Sequence, residues 1–315
     1  PTGVMLKGEV TAASTEQFGP LIGGQIPDLG AVEVEFEARG QKGEWSIPNA
    51  IADITHLRGF SLKVSGEAND LLRDPRFDTT FALRVPDPKG TAALSGASLP
   101  WLPAISADGH IQGSRKQARL KGRIDLGSTR LETDLDADLT GPRPHLSGTI
   151  STPLLQLSEF SSPEVSPNAA SDGPADPGTV QPALLAEQAR YFSDQPLGFE
   201  HLHDADIDLE IIADRIEGGA IRTERLELTV DVDNGRLKAS HKALKYEDGT
   251  ISSLLEVDNT VDLPRVTFKG RANNIPLGAL YANFSAKRRP LEGLLSFDVD
   301  VAGLGHSPHA LLATA

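Results

Sequence analysis

What most limits the fold of this 315-residue chain is a one-by-one alternation of apolar and polar residues, the period of a β-strand with one buried face. Val32, Val34 and Phe36 alternate with Glu33, Glu35 and Glu37, and Ile207, Leu209 and Ile211 with Asp206, Asp208 and Glu210. Leu226, Leu228, Val230 and Val232 alternate with Glu227, Thr229 and Asp231, and Leu295, Phe297, Val299 and Val301 with Ser296, Asp298 and Asp300. Phe81, Leu135, Leu255, Val257 and Phe268 hold comparable positions elsewhere. Each run would present acids on one side and large or β-branched apolar groups on the other.

Turn dipeptides between the runs, Asp108-Gly109, Asn234-Gly235 and Asp248-Gly249, favour tight hairpins, because both central residues tolerate positive φ. The expected fold is mainly β: a long antiparallel meander with a few short helices. The best helix candidate runs from Pro182 to Phe192, with Pro at its start. From about Ser161 to Thr179 the composition turns to Pro, Ser, Ala, Asp and Gly and periodicity is lost, as in a disordered linker. The expected organisation is therefore residues 1–160, a linker over 161–180, and residues 181–315.

A repeat spans that linker. Pro75-Arg76, Pro142-Arg143 and Pro264-Arg265 each lie between two alternating runs, and Pro86, Pro153 and Pro276 follow at nearly constant distance. Two copies also share Gly127 with Gly249 and Gly148 with Gly270, at the same offset as their Pro-Arg pairs. Leu155, Leu157 and Phe160 follow in one copy, and Leu277, Leu280 and Phe284 in the other. The unit reads as a hairpin, a turn at Pro-Arg, a return strand and a short apolar turn. Proline fits there because it cannot donate to a ladder.

Charge narrows the partners. The chain carries 44 acidic and 30 basic residues, a formal net charge of −14, and its longest basic cluster is Lys287, Arg288, Arg289. Such a surface repels phosphate backbones, so nucleic acid is not an expected partner. With no Cys there are no disulfides, zinc thiolates or thiol nucleophiles. No secretory leader and no run of about 18 apolar residues is present; any membrane contact is expected through segments outside this sequence.

Candidate chemistry is sparse. His201 and His203 with Asp204 and Asp206 could gather a metal, but a solvated strand entrance accounts for them as well. His306 and His309 flank Ser307-Pro308 without a third ligand. Asp134, Asp136 and Asp138 have the spacing of a strand's wet face, and no calcium loop follows them. No Gly-x-Ser-x-Gly elbow occurs, and neither Gly23-Gly24 nor Gly218-Gly219 has the context of a phosphate loop. Neither catalysis, a cofactor nor a metal is expected.

From about Leu197 to Ala310 the residues resemble the AsmA family of Gram-negative envelope proteins. The resemblance rests on LGFEHLHDADIDLEIIADRI, on TERLELTVDVDNGRLKASHKALKYEDGTISSLLEVDNTVDLPRVTFKGRANNIPLGALY, and on a closing segment with Gly303, Gly305 and Ser307. Residues 1–160 carry it more weakly, through the repeat and LSGTISTPLLQLSEF, and the family's N-terminal membrane helix has no counterpart. The resemblance implies a strongly bent antiparallel sheet open as a groove, similar to bridge-like lipid transfer proteins. It further implies a periplasmic location, an inner-membrane anchor, phospholipid acyl chains as ligand, envelope proteins as partners, and no established catalytic set.

Two readings of the apolar rows remain at this level. They could line a lipid groove, some 15 strands giving a trough about 70 Å long. They could instead be the dry core of a β-sandwich serving as a scaffold for envelope assembly. A hydrolase would need His and carboxylate groups gathered in one pocket.

Overall fold

The structure, a computed structural model, describes residues 3–18, 28–41, 44–55, 60–90, 102–160, 196–218, 221–278 and 292–314. The Ser161–Thr179 linker and the Pro182–Phe192 helix expected from sequence lie outside these residues. Strands form where the alternation runs: β1 (Val4–Ala12), β2 (Ala31–Gln41), β3 (Glu44–Thr55), β4 (Ser61–Asn69), β5 (Arg76–Val85) and β6 (Ile105–Ser114). There follow β7 (Gln117–Leu126), β8 (Thr129–Asp138), β9 (His145–Thr152), β10 (Leu155–Gln156), β11 (Asp206–Ala213) and β12 (Ile216–Gly218). The last are β13 (Ile221–Thr223), β14 (Leu226–Asp233), β15 (Arg236–Tyr246), β16 (Gly249–Asp258), β17 (Arg265–Pro276) and β18 (Leu294–Leu304), before a short helix α1 (Pro308–Ala313).

Fifteen strands make one open sheet in the order β1 through β9, then β11, then β14 through β18, so both sides of the linker share it. The sheet does not close into a barrel. The expected meander is right for every step but one, since β11 lies parallel to β9, with Leu146 facing Ile207 and Ile150 facing Ile211. The reason lies in the connection. β9 ends at Thr152 on one rim and β11 begins at Asp206 on the other, and two parallel neighbours need such a crossover.

The two rims differ. On one stand the turns after β2, β4, β6, β8, β14 and β16, and all three Pro-Arg pairs are there, in the β4–β5, β8–β9 and β16–β17 connections; we call it the Pro-Arg rim. Each second proline sits where the return strand ends: Pro86 just after β5, Pro153 just after β9, and Pro276 as the last residue of β17. The repeat is thus a structural unit, with one correction. The hairpins β7–β8–β9 and β15–β16–β17 match at their turns at an offset of 120, Leu126↔Thr129 matching Tyr246↔Gly249 and Asp138↔His145 matching Asp258↔Arg265, with the start of β15 displaced by one residue by its bulge. Asp138 accepts the Thr140 backbone N–H at 2.9 Å, as Asp258 accepts that of Thr260 at 3.0 Å. Shared turn chemistry, not the glycines, aligns the copies.

Two turns are also corrected. Asp108-Gly109 is the middle of β6, because the β7 backbone passes so close that a Cβ on Gly109 would stand 2.6 Å from the Lys121 carbonyl oxygen. The β15–β16 turn is centred on Glu247 and Asp248, one residue early, with Glu247 taking the positive φ of 51°. Asn234 and Gly235 form the expected turn, with φ of 49° and 82°.

No second layer covers the middle of the sheet among the described residues. Buried apolar groups are few and mostly near the strand ends, with one cluster of Tyr246, Ala272 and Ile275 against Ile251. The rim opposite Pro-Arg carries a small sheet, β10–β12–β13, and a 3-10 turn, Leu157–Phe160. Glu159 there accepts the N–H groups of Ser128 (2.7 Å) and Thr129 (3.1 Å). Burial pushes its carboxyl up, but these bonds together hold it below its ordinary value.

Three bulges bend the ribbon: Pro48-Asn49 in β3, Lys242-Ala243 in β15 and Asn273-Asn274 in β17. Glycines add kinks where a side chain cannot go. At Gly148, with φ of 140°, a Cβ would stand 2.1 Å from the Asp134 carbonyl oxygen. Gly148→Val is expected to destabilise the fold by about 2–4 kcal/mol. An unchanged urea midpoint would show that the β8–β9 contact is not this close.

Candidate functional site

Cross-strand register decides which side chains share a surface, since directly paired residues project to the same face. One row crosses all fifteen strands: Val10, Val34, Ala52, Val64, Phe81, Gly109, Gly122, Thr133, Ile150, Ile211, Leu228, His241, Ser253, Gly270, Val299. The adjacent row runs Gly8, Phe36, Ala50, Gly66, Thr79, Ile111, Leu120, Leu135, Gly148, Leu209, Val230, Ala239, Leu255, Phe268, Val301. Toward the Pro-Arg rim, Ala137, Leu146, Ile207, Val232, Leu237, Val257, Val266 and Gly303 continue the pattern. Toward the other rim lie Val32 opposite Ile54, Leu226 opposite Ala213, and Phe297 and Leu295 opposite Ala272 and Ile275.

All seventeen residues singled out from the alternation therefore lie on one face. Sequence reading missed Val64, Ile111, Leu120, Ile150 and the glycines of the same floor. In β6 (ISADGHIQGS) and β9 (HLSGTIST) small residues stand where large ones were sought. Counting Gly, Ala and Thr as compatible with the apolar side would have recovered both strands.

The floor runs across every strand but is not uniformly apolar, since Thr79, Thr133, His241 and Ser253 also stand in these rows. Phe36 lies against Gly8 and Phe81 against Gly109, where an added Cβ would come within 2.7 Å and 2.9 Å of the rings. Small residues dominate over β6 to β9, and larger aliphatic groups over β11 to β17. Near the β18 edge the floor is open to solvent, Phe268 being 41% and Phe297 45% exposed.

The opposite face is wet and charged. Cross-strand pairs include Lys7–Glu37 (3.4 Å), Arg123–Asp108 (2.8 Å), Lys121–Asp134 (3.2 Å) and Arg271–Asp298 (2.5 Å). Exposed pairs of this kind add little stability singly, but opposite charges across a ladder favour this register over a slip. Asp134 also accepts from Arg119 at 2.9 Å, and this guanidinium, helped by Lys121, holds its carboxyl below its usual value. Lys242 and Arg225 do the same for Glu227. A hollow of about 750 Å³ on β5–β9, lined in part by Asp108, His110, Lys121 and Arg123, is occupied by charges that pair with one another or with neighbours.

Asp134 and Asp136 pair with Arg119 and Lys121 on the wet face, whereas the His201 to Asp206 cluster serves the rim. His201 and His203 lie in a 3-10 turn, Phe199–His203, not on a strand. His201 bonds Asp204 at 3.0 Å, while His203 packs on Gly235 and reaches the Asn259 carbonyl at 3.1 Å. Among the described residues no three His, Asp or Glu are placed to hold a metal ion. No helix among them is long and apolar enough to cross a membrane.

One open sheet with a largely apolar floor, a charged back and no covering layer among the described residues defines an open β-groove protein. A family model for the AsmA family matches residues 82–315, and the chain belongs to that family, which is associated with the bacterial envelope. No curated protein and no solved structure matches the chain.

The floor stays continuous across the parallel step because a polar clasp fixes it. Arg143 pairs with Asp206 at 2.8 Å and bonds the Asn234 side chain, while the Asn234 N–H donates to Asp206 at 3.0 Å. Arg143, then the Asn234 N–H, hold the Asp206 carboxyl below its ordinary value. With the folded pKa below the unfolded one, this contribution is full above about pH 4 and is lost as pH falls through the lowered value. Asp206→Asn should lower the urea midpoint at pH 7, and the gap from wild type should narrow progressively on titration from about pH 5 to 2. A gap independent of pH over that range would mean that the charge contributes nothing.

Proposed function

We propose that this chain is a non-enzymatic lipid-binding segment of a periplasmic protein, anchored in the inner membrane through other parts of the polypeptide. It supports phospholipid movement between the inner and outer membranes and so outer-membrane homeostasis. The observation that carries this reading is the largely apolar rows held on one face across fifteen strands, with no layer above the middle of the sheet among the described residues. Such a surface must be covered by another layer, self-associate, or meet an apolar ligand.

Dimensions and energetics favour a lipid. Fifteen strands at about 4.8 Å spacing extend roughly 70 Å. A 16-carbon chain moved through water exposes methylenes at about 0.8 kcal/mol each, a barrier on the order of 12 kcal/mol. An apolar floor lowers that barrier without any reacting group. Curling toward the floor brings apolar rows closer together, which the bulges and glycines permit.

Solvent extraction and mass spectrometry of the purified protein should find phospholipid. Leu228→Asp and Phe297→Asp, each placing a charge on the floor, should reduce it at least fivefold while circular dichroism and melting stay near wild type. A wild-type protein free of lipid would sink this reading and leave the envelope scaffold in its place.

A further inference from the structure

Few polar side chains stand on the floor among the described residues, and most of them spend their polar atoms on the backbone. Thr79 donates its hydroxyl to the Ile111 carbonyl and Thr133 to that of Gly122, each at 3.2 Å. Thr152 donates to the Leu154 carbonyl at 2.8 Å, and Thr129, fully buried, accepts the Gln156 N–H at 3.1 Å. Those hydroxyls are satisfied without a ligand. His241 and Ser253 differ. They are direct partners across β15 and β16, in the row between Leu228 and Gly270, and both are part-exposed. The bulge after His241 leaves Lys242 without a partner in β16, and His241 Nδ1 lies 2.8 Å from the Lys242 carbonyl oxygen. A carbonyl can only accept, so Nδ1 holds the proton and Nε2 of the neutral ring is an acceptor. The Ser253 hydroxyl makes no hydrogen bond to His241 or to any other group among the described residues. An acyl chain lying across this row would strip water from both groups and give nothing in return.

From this we infer that His241 and Ser253 form a carboxyl-binding site on the floor, where the groove takes free long-chain fatty acids besides phospholipid. The inference rests on the lipid-groove reading. The pair offers one acceptor and one donor side by side: the O–H of a carboxylic acid donates to His241 Nε2 while its carbonyl oxygen accepts from the Ser253 hydroxyl. If the proton moves to Nε2, imidazolium faces carboxylate and the site stays neutral as a whole. Two oxygens, one for each residue, suit side chains whose Cβ atoms stand about 5 Å apart, as directly opposed residues do, better than the single oxygen of an alcohol. No Lys, Arg, Asp or Glu shares the floor rows around the pair, and Lys242 is turned to Glu227 at 2.6 Å on the wet face. A phosphate diester keeps its charge and finds no cation here, so a phospholipid headgroup stays off this part of the floor. Leu255, Ile251 and Phe268, whose ring would lie 3.1 Å from a Cβ on Gly270, give the fatty chain an apolar path away from the pair.

The full chain is equilibrated separately with oleic acid, methyl oleate, oleyl alcohol and dioleoyl phosphatidylglycerol, and the lipid retained through gel filtration is counted. Wild type should retain oleic acid about tenfold better than its methyl ester, which has the same chain and no acidic proton. His241→Leu and Ser253→Ala, which place apolar groups on an apolar floor, should each cut oleic acid retention about fivefold. Both should leave methyl oleate and the phospholipid unchanged, with circular dichroism near wild type. Equal retention of acid and ester by wild type, retention of the alcohol as good as that of the acid, or variants that lower all four lipids alike or none, overturns the carboxyl site; phospholipid held in the same assay shows that the groove stands. Retention of no lipid by wild type overturns the groove reading and this one together.

Discussion

Cross-strand register is the constraint on which everything else depends. Side chains alternate faces with a period of two, so a one-residue slip at any strand interface would turn every apolar row beyond it toward the charged side. The rows survive the antiparallel steps and the single parallel one, where Ile150 meets Ile211 and Gly148 meets Leu209. Ion pairs on the wet face, such as Arg123–Asp108 and Lys7–Glu37, make the slipped alternatives worse, because a slip sets acids among aliphatic groups and separates the charges.

The bulges keep that parity while bending the ribbon. In β17 the extra residue at Asn273-Asn274 lets Ile275, not Asn274, follow Ala272 on the apolar side, where Ile275 is 1% exposed opposite Leu295. In β3 the extra residue falls at Pro48-Asn49, which also explains a proline inside a strand, since a bulge tolerates its missing N–H. Glycines act differently. They admit the neighbouring backbone where any side chain would collide, and they let aromatic rings lie flat across the floor, as Phe36 does over Gly8.

A groove of this kind has little conventional core to stabilise it. Its largest fully buried side chains include Ile275, Thr129 and Pro264, which are small for a chain of 315 residues. Stability is distributed along the ladder and at the rims, through Glu159 under the β7–β8 turn and Arg143 at the crossover. The same economy leaves apolar area on the floor uncovered among the described residues.

Much of this could be read from residue order alone. The alternation assigned the strands and put Val34, Leu209, Leu228 and Phe297 on a shared face, and the Pro-Arg pairs marked true hairpin units, because both signals are local and follow from strand geometry and the missing proline N–H. Floor positions held by Gly, Ala or Thr were hidden, since a small residue looks the same whether it lines a groove or ends a turn; Gly109 was misread for that reason. The parallel placement of β11 on β9, the offset of 120 between hairpin copies and the gathering of all three Pro-Arg tips on one rim come from long-range pairing. Local spacing cannot carry that information, because which strands meet and in what register depends on summed contacts between residues far apart along the chain.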